Sequence, residues 1–204
     1  PGSDILRGQH GNDEIFGGQG ADDIRGGRGN DYVEGGGQAD RILGNLGHDE
    51  LYGQKGGDRV DGGGGRDFVD GGDGTDIVLG GRGDDTVQGG ASSDFIIGGF
   101  GDDTLAGNTA SEVDYDNAPD IFLFEGRFGS DVVTDFELNW DAIYLVDIAP
   151  EDVRVEEFNC DDVRITVKNG RFSESTIDIL DVDGFERDVD IVFVDSSYVD
   201  NLLA

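Results

Sequence analysis

The chain has 204 residues with 46 acidic against 14 basic side chains, a formal net charge of −32. That balance excludes nucleic acid and an anionic membrane surface as partners, because binding phosphates needs an excess of Lys and Arg; it suits divalent cations instead. The lone Cys160 rules out an internal disulfide, and no apolar run approaches the length of a membrane span.

Residues 1–106 write one nine-residue phrase twelve times, and Gly26-Gly27-Arg28-Gly29-Asn30-Asp31-Tyr32-Val33-Glu34 is a clean copy. The sixth position is always aspartate: Asp4, Asp13, Asp22, Asp31, Asp40, Asp49, Asp58, Asp67, Asp76, Asp85, Asp94 and Asp103. The eighth is always aliphatic, from Leu6 and Ile15 to Ile96 and Leu105, and the first is Gly from Gly8 to Gly98. A fixed period of this kind marks a stacked, quasi-one-dimensional fold.

Each position has a physical task. Half a coil of nine residues holds a short strand of about three residues, side chains pointing out, in and out, so position eight stacks into a narrow dry core. The other six reverse the chain, and glycine supplies the positive φ that such a turn requires. Asn12, Asn30, Asp84 and Asp102 at position five suit the same left-handed demand. Two copies complete one coil, so odd-numbered copies stack on one edge and even-numbered copies on the other. Carboxylates repeated at roughly 4.8 Å repel unless cations sit between them. Carboxylate and carbonyl oxygens in a flexible cage suit calcium better than magnesium, and the sulfur and imidazole ligands of zinc or copper sites are missing.

The phrase resembles the repeats-in-toxin (RTX, haemolysin-type) calcium-binding nonapeptide, Gly-Gly-x-Gly-x-Asp-x-apolar-x. The resemblance covers about half the chain and implies an all-β fold, a parallel β-roll solenoid of twelve nonapeptide half-turns. It also implies calcium between successive turns on each edge, roughly ten ions in all. It assigns the side-chain ligands to the twelve aspartates. The carbonyl ligands fall to the neighbouring glycines Gly18, Gly20, Gly27, Gly29, Gly63, Gly65, Gly72, Gly74, Gly81, Gly83, Gly99 and Gly101. Copies five and eleven carry Gln38 and Ser92 at position four, both on the odd edge, which predicts a weaker calcium ladder there than on the even edge.

The outward positions seven and nine carry patches. On the odd face Arg7, Arg25, Arg41 and Arg59 form a basic stripe interrupted by Asp23 and Asp61; Leu43, Ile77, Leu79, Phe95 and Ile97 follow. The stripe reads as charge relief or as a contact for an anionic polysaccharide, and the apolar cluster as a surface covered by the second half of the chain. On the even face Phe16, Tyr32, Tyr52 and Phe68 alternate with acidic residues, a pattern expected of β-surface decoration.

Residues 107–119 lose the repeat and read as a linker. Residues 120–204 form short β-branched runs, Ile121–Phe124, Asp131–Phe136, Ala142–Leu145, Val163–Val167, Thr176–Leu180 and Ile191–Val194, expected to build an antiparallel, β-sandwich-like C-terminal cap. Solenoids need such caps to cover open strand edges. Gly129–Phe136 and Asp141–Leu145 are similar to the segment after the repeats in serralysin-type proteases and other type I-secreted proteins. That likeness implies an uncleaved secretion signal at the extreme C terminus, near Val194–Ala204.

Catalysis finds no support. His10 and His48 occupy variable turn positions, no His-Glu-x-x-His helix exists, Cys160 has no histidine nearby in sequence, and the Gly-rich turns lack the Lys-Ser/Thr of a phosphate cradle. The expected function is a secreted bacterial calcium-binding module that folds after type I export as the C-terminal folding and secretion part of a larger extracellular protein. No secretory signal is visible at the amino end, and a chain that starts at Pro1 without any Met is expected of an excised piece, with room for a catalytic domain before Pro1. The alternatives are a polysaccharide-binding module like those of alginate epimerases, or a calcium-dependent surface-layer or adhesin element.

Overall fold

A computed structural model describes residues 2–108, 118–158, 162–168, 174–180 and 189–202. Cys160 and residues 109–117 of the expected linker lie outside the described residues.

Each repeat contributes one strand: β1 (Ile5–His10), β2 (Glu14–Gln19), β3 (Asp23–Arg28), β4 (Tyr32–Gly37), β5 (Arg41–Leu46), β6 (Glu50–Lys55), β7 (Arg59–Gly64), β8 (Phe68–Asp73), β9 (Ile77–Arg82), β10 (Thr86–Ala91), β11 (Phe95–Phe100) and β12 (Thr104–Ala106). All but the last have six residues, not the expected three, because pairing runs on through the glycines: Gly27 is in register with Gln9 and with Asn45. Odd strands stack in parallel as one sheet and even strands as a second. Because pairing advances by a whole coil, like meets like. Ile24 lies over Leu6 and under Ile42, and Val33 over Ile15 and under Leu51. Position eight from Ile24 to Leu105 is fully buried and forms the spine between the sheets.

Neither sheet stops where the repeat does. After it come β13 (Ile121–Glu125), β14 (Ser130–Val133), β15 (Ala142–Val146), β16 (Val153–Phe158), β17 (Asp162–Lys168), β18 (Glu174–Ile179), β19 (Asp190–Val194) and a short helix α1 (Ser196–Leu202). The odd sheet continues β11-β13-β15-β19, every pair parallel. The even sheet continues β12-β14-β18 in parallel and closes with the antiparallel ribbon β18-β17-β16. The two-layered, sandwich-like cap is therefore an extension of the roll's own sheets. The antiparallel pairing expected throughout it is confined to one ribbon, because the edges left by β11 and β12 favour strands that keep the coil's direction.

The core thickens in this half. Phe122, Phe124, Phe128 and Phe136 join Ile143, Leu145, Ile165 and Ile177 in one cluster with the roll's spine. The ring pairs Phe122–Phe136 and Phe124–Phe128 lie 6.0 and 5.0 Å apart. On the outer face of the odd sheet, Val199 of α1 packs on Leu123 and Val146, and Ile97 borders that contact. The second half thus reaches the expected apolar cluster at Ile97, which like Leu43, Ile77, Leu79 and Phe95 stays half-buried. Among the described residues no helix is long and apolar enough to cross a membrane.

Candidate metal centre

The twelve aspartates form two columns. In each, the backbone N–H of one aspartate donates to Oδ1 of the aspartate one coil further on. Asp4 donates to Asp22 at 2.7 Å, Asp22 to Asp40 at 2.8 Å, Asp40 to Asp58 at 2.7 Å, Asp58 to Asp76 at 2.6 Å and Asp76 to Asp94 at 2.8 Å on the odd edge. On the even edge Asp13, Asp31, Asp49, Asp67, Asp85 and Asp103 are linked in the same way, each bond 2.8 Å long. Every carboxylate from Asp22 to Asp103 thus spends one oxygen on tying its turn to the turn before, while Asp4 and Asp13 head the columns.

The other oxygen, Oδ2, is turned inward over the position-one glycine of the same copy. A Cβ on Gly26 would stand 2.4 Å from Asp31 Oδ2, which accounts for glycine at that position. In Asp13, Asp22, Asp31, Asp40, Asp49, Asp58, Asp67, Asp76, Asp85 and Asp103 this Oδ2 is buried with no hydrogen-bond partner. Burial dominates the ionisation of eight of them. It raises Asp31 and Asp40, takes Asp49, Asp58, Asp67, Asp85 and Asp103 to about 6 and Asp76 to about 7, with repulsion from neighbouring aspartates adding to it and the backbone N–H opposing it. A buried carboxylate with an orphan oxygen calls for a proton or a cation.

The glycines complete the picture. Gly18, Gly27, Gly63, Gly72, Gly81 and Gly99 stand at position two, and Gly20, Gly29, Gly65, Gly74, Gly83 and Gly101 at position four; all have positive φ. The left-handed residues are therefore at positions two and four, and position five, where Asn and Asp were expected to take that role, does not share it. Position-four carbonyls point along the edge at the next coil. A Cβ on Gly83 would lie 1.4 Å from Gly65 O, and one on Gly47 would meet both Gly29 O at 1.7 Å and Asp49 Oδ1 at 3.1 Å. Each turn thus brings carbonyl and carboxylate oxygens together where the coils pack closely, and glycine holds position four in all copies but those of Gln38 and Ser92. Among the described residues no three His, Cys, Asp or Glu side chains converge, so a cation here draws on backbone as well as side-chain oxygens. Hard oxygen donors with orphan carboxylate oxygens among them fit calcium.

Three further aspartates extend the columns beyond the repeat. Asp94 donates to Asp120 Oδ1 at 2.8 Å, Asp120 to Asp141 Oδ1 at 2.9 Å and Asp103 to Asp131 Oδ1 at 2.9 Å. Asp131 Oδ2 is again buried and unpartnered, and burial pushes Asp131 to about 8 and Asp141 to about 7. Asp135 takes the N–H groups of Gly107 and Asn108, so these two linker residues are held in the coil. The signal was an Asp-x-apolar phrase at Asp120, Asp131 and Asp141, hidden by irregular spacing.

The surface patches lie apart from the columns. Arg25 and Arg41 both pair with Asp23, at 3.3 and 3.4 Å. Arg7, Arg25, Arg28 and Asn45 line a groove of about 370 Å3 over the bare glycines. The rings of Phe16, Tyr32, Tyr52 and Phe68 form a stack with successive centroids 6.1, 5.5 and 5.6 Å apart. His48 is a turn residue whose Nδ1 accepts the Arg66 N–H at 2.7 Å.

Comparison with known proteins identifies the repeat itself. The model of the RTX calcium-binding nonapeptide repeat matches residues 1–33, 16–51, 34–69, 52–87 and 70–105. No curated protein matches the chain. Among solved structures, extracellular lipase LipA from Serratia marcescens aligns at 18% identity with a TM-score of 0.37, over 85% of this chain and 40% of the lipase. The AlgE6R3 subunit of the Azotobacter vinelandii mannuronan C5-epimerase aligns at 22% identity with a TM-score of 0.34, over 78% of this chain and 74% of that one. The chain thus spans well under half the length of the lipase.

Proposed function

Because the chain belongs to the RTX calcium-binding nonapeptide repeat family, we propose that it is a calcium-driven folding module: exported unfolded by a type I machinery, closed by calcium outside the cell, and serving as the C-terminal folding and secretion part of a larger extracellular protein. The observation that carries this reading is the pair of columns in which ten aspartates, Asp13 to Asp85 and Asp103, bury a second oxygen that has no partner. Asp4 through Asp103, with the position-two and position-four carbonyls, would hold the ions; calcium supplies the positive charge that the buried carboxylates lack.

Roughly ten ions fit the gaps between repeat turns, and they would offset about twenty of the 32 excess negative charges. Each independent site contributes RT ln(1 + [L]/Kd), about 4 kcal/mol at a thousandfold excess over Kd. A few sites therefore outweigh the stability of an ordinary domain. The reading gives the chain no catalysis of its own. Calorimetric titration of calcium into chelated protein tests it, with several ions per chain and a concurrent fall in the radius of gyration as the expected result. A stoichiometry near zero, or binding without compaction, contradicts it.

One observation favours a second role, contact with an anionic polysaccharide. The groove lined by Arg7, Arg25 and Arg28 is a basic strip on a strongly acidic chain. Retention on immobilised alginate in calcium, lost in an Arg7→Ala/Arg28→Ala variant, supports that role; equal retention of both proteins removes it.

A further inference from the structure

The two edges of the roll are not built alike. On the even edge position five carries side chains that form a second ladder, opposite in sense to that of the aspartates. Asn12 Oδ1 accepts the Asn30 N–H at 2.9 Å and Asn30 Oδ1 accepts the His48 N–H at 3.0 Å. Further on, Asp84 Oδ1 accepts the Asp102 N–H at 3.1 Å and Asp102 Oδ1 the Ser130 N–H at 2.9 Å. The ladder breaks where Arg66, which has no acceptor, precedes Asp84. Even-edge turns are thus tied through position five as well as through position six.

On the odd edge position five holds Ser3, Ala21, Ala39, Gly57, Thr75 and Ser93, and from Ala21 through Gly57 it has no side-chain acceptor to offer. That edge also carries the two position-four residues that adopt the left-handed region without being glycine, Gln38 at φ 77° and Ser92 at φ 84°. Both edges nevertheless present the same unpartnered buried oxygens, for example Asp40 and Asp58 on one and Asp49 and Asp67 on the other. A cation binding at the even edge is helped by the second ladder, which holds part of the turn for it. At the odd edge, where only the position-six ladder runs from Asp22 to Asp58, it must order more of the turn as it binds, and that ordering lowers affinity.

We propose that the roll has two calcium thresholds: the even edge, positioned by Asn12, Asn30, Asp84 and Asp102, holds its ions to lower calcium than the odd edge, which empties first and makes one long side of the roll a calcium-responsive surface. The proposal rests on the calcium reading above, and its test separates the two. In the calcium-loaded full chain, free calcium is lowered stepwise with a buffered chelator while hydrogen exchange is followed by mass spectrometry. Turn amides of residues 35–40 and 53–58 report the odd edge, and those of 44–49 and 62–67 the even edge.

The odd-edge amides are expected to lose protection at a several-fold higher calcium concentration. Asn12→Ala/Asn30→Ala brings the even threshold up toward the odd one, by about fivefold for each hydrogen bond removed. Gln38→Gly/Ala39→Asn, which cannot fail merely by losing a contact, moves the odd threshold down. Simultaneous loss at both edges, or a gap unchanged in the second variant, overturns the proposal and leaves the calcium reading standing. Protection indifferent to calcium on both edges overturns both.

Discussion

The repeat region and the half that follows it share two continuous sheets yet are stabilised differently. In the repeats a strand offers the core one aliphatic side chain, such as Val60 or Val78, and then bare glycine. In the later half β13 alone buries Phe122, Leu123 and Phe124, and rings from the loops, Phe128 and Phe136, fill the space between the sheets. Burying a large side chain contributes roughly 1.5–3 kcal/mol, so the second half can stand on apolar packing. The repeats trade that packing for turns built to hold charge, and their aspartates are a liability until a cation arrives.

The sharpest way to separate the halves is pH in the absence of calcium. Burial raises the folded-state values of Asp49, Asp58, Asp67, Asp85 and Asp103 to about 6 and Asp76 to about 7, above the ordinary value near 3.8. Folding of the metal-free roll therefore takes up protons. The contribution of these groups is fully present below about pH 4 and is lost as pH rises through 6 to 7. Circular dichroism of chelated protein should show more β-structure at pH 4.5 than at pH 7.5, and the opposite order contradicts the assignment. Calcium removes the difference.

Next in size is the core of the second half. Phe122→Ala should cost about 3–5 kcal/mol by denaturant unfolding, equally at saturating and at tenfold lower calcium. The mild Ile42→Val in the roll should cost about 0.5–1.5 kcal/mol. A Phe122 cost that vanishes at low calcium would mean that the halves do not differ as described.

A pair of substitutions at Asp76 follows. Asp76→Ala leaves the buried Asp58 N–H without its 2.6 Å partner, a loss of about 1–3 kcal/mol. Asp76→Asn keeps an acceptor but not the charge. It should weaken the calcium-loaded roll and stabilise the metal-free roll at neutral pH. The same sign in both conditions would refute a charge held for a cation. Smallest is Gln38→Gly, which relieves a left-handed backbone at φ 77° and should raise stability by about 1 kcal/mol, read as a higher thermal midpoint in calcium.

Much of this was legible in residues that repeat. The invariant aspartate, the aliphatic two places on and the glycine at position one led to the coil, its spine and its columns, because each follows from local geometry. What escaped depended on pairing between distant segments. The spacing from Asp103 to Asp120, Asp131 and Asp141 is irregular, so only the strand register reveals that they continue the columns. Turn residues such as Asn139 cannot say whether the next strand runs parallel to a preformed edge or folds back as a hairpin. β16 was missed because charged residues interrupt its apolar ones in Val153-Arg154-Val155-Glu156-Glu157-Phe158, and only its antiparallel partner β17 fixes it as a strand. Position five looked like a turn residue by composition, but its Asn and Asp side chains cap the neighbouring coil while positions two and four take the left-handed backbone.

The central claim is that buried aspartate columns, not the thin apolar spine, decide whether the repeats are folded. Limited proteolysis of the full chain at pH 7.5, with calcium and then with excess chelator, tests it most directly. Cleavage spread through residues 2–108 on chelation, reversed by calcium but not by equimolar magnesium, is the predicted result; a roll that stays protease-resistant with all calcium removed contradicts it.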